Sequence, residues 1–118
     1  MNEIYVVATF GYIRGRHEMG IVLWFSKLEY AEKYLKNAGK PVDGLHYSYE
    51  DDPFEHRWSY AVIEKVHEGR SMNEVISWWK AEYSNTEGRL VNVLKINRES
   101  DSVLLENTEG MFNFTHIG

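Results

Sequence analysis

The stretch S-M-N-E-V-I-S-W-W-K-A-E-Y (residues 71–83) decides the fold, because it reads two ways. Met72, Val75, Ile76, Trp79 and Tyr83 share one helical face, and Ser71 and Glu74 have the spacing of a capping box. Val75, Trp79, Ala81 and Tyr83 equally fit one side of a strand, with Ile76, Trp78, Lys80 and Glu82 on the other. The residues just downstream tip the balance. N-T-E-G (residues 85–88) is turn chemistry, and R-L-V-N-V-L-K-I (residues 89–96) is rich in β-branched residues. A strand over 76–83 pairs with 89–96 across a short loop, so the strand reading is preferred.

N-T-E-G recurs at residues 107–110, and the two copies start 22 residues apart. Their flanks share little, so they read as one turn used twice rather than a repeated ligand motif. On that reading 89–96, 102–106 and 111–115 form a C-terminal β-meander.

Toward the N-terminus, E-I-Y-V-V-A-T-F-G-Y (residues 3–12) reads as a strand. Residues 13–20 hold two glycines, three charges and a histidine and read as an exposed hairpin loop. Arg14, Arg16 and His17 there suit a solvated tip better than an anion site, because the loop leads into a strand and offers no helix N-terminus. The uninterrupted apolar run I-V-L-W-F (residues 21–25) suits a strand buried on both faces. Ser26 and Glu29 then form a capping box, and Leu28, Ala31, Tyr34 and Leu35 recur at helical spacing. Glu29–Lys33 and Glu32–Lys36 are favourable i,i+4 pairs, and Gly39 and Pro41 stop the helix, which spans about 26–38. R-W-S-Y-A-V-I-E-K-V-H (residues 57–67) alternates as a strand. The expected class is therefore α+β: a mainly antiparallel sheet with one helix packed on it, a ββαβ start and a C-terminal meander. No linker or composition break divides the 118 residues, so one domain is expected.

The first half resembles small bacterial and phage proteins with no established activity. The resemblance rests on I-Y-V-V, on I-V-L-W-F-S-K-L-E-Y-A-E-K-Y-L and on Y-A-V-I-E-K-V-H-E-G. It covers residues 3–69 and is carried by structural positions. It implies a ββαβ fold and brings no site residues with it. The acidic segment between helix and third strand departs from that pattern in length.

Composition removes several functions. There is no cysteine, so disulfides, thiolate catalysis and Cys-based zinc sites are absent. The N-terminal stretch carries an acid and no basic region, so no secretory signal is expected. Its apolar run is too short to cross a membrane, and the expected location is cytoplasmic. Eighteen acids against 13 bases give a net charge of −5 with no Lys/Arg-rich run, a poor match to nucleic acid and a better one to a basic protein. No phosphate loop, dinucleotide fingerprint or nucleophile elbow occurs, and no cofactor is expected.

Residues 42–56 hold five acids and no Lys or Arg, and read as a long exposed loop. Within it, H-Y-S-Y-E-D-D-P-F-E-H (residues 46–56) is the main site candidate. Tyr47, Tyr49 and Phe54 interleave with Glu50, Asp51 and Asp52, and with Trp58 they would serve as aromatic anchors for a protein partner. Trp78 and Trp79 point to opposite faces, so Trp79 enters the core while Trp78 joins the candidate anchors. A second reading takes His46, Asp52 and His56, with Glu50 and Asp51 nearby, as ligands for zinc, manganese or iron; their spacing matches no signature, and Pro53 prevents a helix that would align them. The functional expectation is a non-enzymatic protein-interaction module, an inhibitor or immunity-type protein of bacterial or phage origin. The alternative is a small-molecule- or metal-binding domain using residues 46–56. Unpaired edge strands and aromatic patches also allow a homodimer.

Overall fold

The computed structural model describes residues 2–13, 16–38, 58–70, 72–86 and 89–109. Five strands, β1 (Glu3–Ile13), β2 (Arg16–Phe25), β3 (Tyr60–His67), β4 (Glu74–Ser84) and β5 (Arg89–Ile96), form one antiparallel sheet in the order β2-β1-β3-β4-β5. Helix α1 (Leu28–Asn37) comes after β2, and a short 3-10 turn (Arg98–Ser100) leads into helix α2 (Ser102–Thr108). The ββαβ start and the meander β3-β4-β5 match the expected α+β class.

Residues 74–84 are a strand, with Trp79 opposite Ala61 on β3 and Lys95 on β5. Two-sided pairing explains why the helical pattern loses. Each face of β4 finds apolar neighbours, and both ladders satisfy its backbone.

The sheet carries a core on each face. On one, Ala31 and Leu35 of α1 pack over Val7, Ala61, Ile63, Trp79 and Val93, with Trp58 and Leu90 at the margin. On the other, Leu104 of α2 packs over Ala8, Phe10, Tyr60 and Val62. The inner strands are accordingly buried on both sides: Val6 to Phe10 and Tyr60 to Glu64 are all 4% exposed or less.

Four local expectations change. The hairpin loop expected over 13–20 is mostly strand, since Phe10 pairs with Met19 and the ladder continues to Ile13 opposite Arg16. Charge and glycine content resemble a loop, but an extended ladder absorbs them. The capping box at Ser26 does not form. Lys27 is the N-cap, with extended φ −136° and ψ 143° and no side-chain cap bond, so Ser26 lies one residue too early. Residues 102–106 are helical rather than the next strand of the meander. Asp101 caps α2 by accepting from the Leu104 N–H, and the second N-T-E-G falls on the helix end instead of a hairpin. Residues 111–115 lie outside the described residues. Finally, residues 22–24 of β2 are not buried on both faces, because the strand order leaves β2 at the edge of the sheet.

Gly20 marks an irregularity in the β1–β2 ladder, where Ala8 pairs with Val22 but Phe10 pairs with Met19. Two residues on β2, at 20 and 21, therefore oppose the single residue Thr9 on β1, the count of a β-bulge. A Cβ at Gly20 would stand 2.6 Å from the Thr9 Oγ1.

Candidate functional site

Most of the residues that the sequence nominates lie outside the described residues: His46, Tyr47, Tyr49, Glu50, Asp51, Asp52, Phe54 and His56. Two are described. Trp58 is only 7% exposed and belongs to the α1-side core, and its backbone oxygen accepts the Tyr83 hydroxyl at 2.8 Å. Trp78 is partly buried against the α2-side core, with its ring edge-on to Phe10 at 6.2 Å. Both rings are committed to packing. Trp79 enters the opposite core, and its indole N–H donates to Ser77 Oγ at 2.8 Å.

Two polar clusters bridge the sheet. In the first, the Asp101 carboxylate accepts from the Tyr60 hydroxyl, the Lys80 ammonium and the Leu104 N–H at 3.0 to 3.3 Å. Burial pushes this carboxyl upward in pKa, but those three donors more than offset it and hold the group below the usual carboxylate range. Every member either caps α2 or ties it to the sheet, so the arrangement is that of a structural clasp.

In the second cluster, Glu3 on β1 bonds Lys65 on β3 at 3.1 Å. That hydrogen bond, with the charge of Lys65, lowers the Glu3 pKa and raises that of Lys65. The His67 ring stands between Glu3 Oε1, 3.4 Å from Nδ1, and Glu74 Oε2, 3.6 Å from Nε2. Nδ1 is buried and makes no hydrogen bond among the described residues. The cluster links the ends of β1, β3 and β4. Among the described residues no group of three or more His, Cys, Asp or Glu is placed to hold a metal ion. A groove of about 390 Å³ along α1 is lined by Glu29, Glu32, Lys33, Lys36 and Asn37, the polar side of an amphipathic helix.

The feature that stands out is apolar. On edge strand β2, three successive residues are exposed: Val22 at 47%, Leu23 at 37% and Trp24 at 66%. Val22 and Trp24 pair with Ala8 and Val6 on the α2 side of the sheet, while Leu23 pairs with Val7 on the α1 side. Among the described residues no strand pairs with the outer side of β2. Natural edge strands are usually blunted by charge, proline or bulges. The bulge at Gly20 guards one half of β2, but from Val22 to Phe25 the strand carries no charge and no proline. The opposite edge, β5, carries exposed Lys95 and Asn92. The run 21–25 is recognisable in the sequence as a strand, but its exposure is not, because nothing local encodes which strand lies outermost.

No helix among the described residues is long and apolar enough to cross a membrane. Comparison with known proteins finds no matching family model, no matching curated protein and no matching solved structure.

Proposed function

We propose that this chain is a small, non-catalytic protein-interaction module of the inhibitor or immunity type, and that it contacts its partner through the outer edge of β2. The observation that carries this reading is the exposure of Val22, Leu23 and Trp24 in succession on the half of edge strand β2 that carries no charge and no proline. A strand edge offers unpaired backbone donors and acceptors, and an added strand from another chain takes them up while side chains on either face supply specificity. Trp is also among the residues most enriched where binding energy concentrates.

The test is retention of partners from the native cells by the wild-type chain, by Leu23→Lys and by Leu94→Lys, which charges the other edge. The expected result is a protein that the wild type and Leu94→Lys retain and Leu23→Lys releases. Equal retention by all three would place the contact elsewhere.

A further inference from the structure

We infer that the outer edge of β2 pairs with β2 of a second copy of this chain, antiparallel about a two-fold axis near Leu23. This rests on the reading of that edge as the contact surface and names its occupant.

The edge is self-complementary. In an antiparallel pair centred on Leu23, Leu23 faces its own counterpart, and Val22 on each copy faces Trp24 on the other. The side-chain period of two keeps Val22 and the opposing Trp24 on the same face. The most exposed ring thus covers the exposed valine twice over, as an isologous interface requires. Charge also permits the pairing. Two copies at −5 each repel through their overall fields, but residues 20–26, G-I-V-L-W-F-S, carry no charge, so no like charges are forced together at the seam. The edge of β5 differs in carrying a charge, Lys95, beside its exposed Leu94, and a pairing centred on Lys95 itself would set like charges against each other. The area is below that of a standard stable interface. Val22, Leu23 and Trp24 together expose on the order of 300 Å² per copy, Val22 and Trp24 on one face of the sheet and Leu23 on the other. Two copies bury on the order of 600 Å² of side chain, plus the strand edges, which places the dimer among weak, reversible ones. The bulge at Gly20 bends β2 and limits the seam to its far half, in keeping with that area. The product is a ten-stranded sheet continuous across the axis.

The experiment is sedimentation velocity on the whole chain from about 10 µM to about 1 mM, a span set by the weak affinity expected, with amide hydrogen exchange at both ends of the series. The variants are Trp24→Lys, Leu23→Lys and Leu94→Lys, each checked for native circular dichroism. Trp24 is the safer probe because it is the most exposed of the three residues on the edge. The expected result is a monomer–dimer equilibrium in the wild type and Leu94→Lys. The outward-pointing alternate amides among residues 22–25 gain protection with concentration, and either β2 lysine weakens the dimer at least about tenfold. A wild type that stays monomeric throughout, with rapid exchange at alternate β2 amides, overturns the second copy and leaves the edge free for another protein. Concentration-independent protection of every β2 amide overturns both, because the chain then covers its own edge. A dimer unaffected by both β2 lysines overturns the proposed seam.

Discussion

The Tyr60 hydroxyl lies 3.0 Å from Asp101 Oδ1 and 3.1 Å from Oδ2, so one carboxylate both caps α2 and ties it to the central strand of the sheet. Since α2 supplies Leu104 to the second core, this pair decides whether that core closes. Asp101→Ala removes the cap and the carboxylate that accepts from the Tyr60 hydroxyl, and is expected to destabilise the chain by about 1–2 kcal/mol in urea denaturation. Tyr60→Phe removes one partner and leaves the cap, so a smaller loss is expected. A double-mutant cycle between the two should show coupling.

The same carboxylate sets an acid limb. Its pKa is lower in the folded chain than in the unfolded one. Its contribution is therefore present above the unfolded value of about 3.9 and disappears as pH falls through the lower folded value. Urea midpoints measured from neutral pH downward should drop in that window, and the drop should be shallower in Asp101→Asn. Glu3 acts in the same direction through Lys65, but it is only half-buried and screened by solvent, so Glu3→Gln should change the limb less.

Gly20→Ala places a Cβ 2.6 Å from Thr9 Oγ1, and Thr9 is buried at 1% exposure. The hydroxyl must move in a packed strand, so a loss of about 1–3 kcal/mol is expected by thermal or urea unfolding. Gly20→Ala with Thr9→Ala, which removes the obstructing oxygen, should recover part of that loss.

Ser77→Ala leaves the Trp79 indole N–H without its acceptor in the α1-side core. A buried unsatisfied donor costs about 1–3 kcal/mol, and Ser77→Thr, which restores the oxygen, should lose less. The readouts are the urea midpoint and Trp fluorescence.

Much of the fold is legible in the sequence because it is written in local periodicity. Residues 3–12, 28–37 and 89–96 carry patterns with one good solution each, and the turn after Tyr83 resolves the ambiguous 71–83. The second N-T-E-G misleads because a tetrapeptide does not fix its own conformation. At 85–88 it joins β4 to β5, whereas at 107–110 Asp101 has already started a helix whose end it occupies. There Thr108 donates to the Leu104 carbonyl and accepts from Arg98, bonds only a helix arriving from Asp101 provides. The candidate site is less legible. Whether I-V-L-W-F is a core strand or an edge depends on the order β2-β1-β3-β4-β5, which arises from long-range pairing. Exposure of Trp24 is thus a property of topology, invisible in the five letters themselves.

The most direct test of the β2 edge as the contact surface is in-cell photo-crosslinking from position 24. A benzophenone side chain in place of Trp24, compared with the same group in place of Leu94 on β5, reports which edge meets another chain. The predicted result is a discrete crosslinked species from position 24, to a second copy or to another protein, and none from position 94. No crosslink from position 24, or the same species from both positions, would contradict a contact through β2.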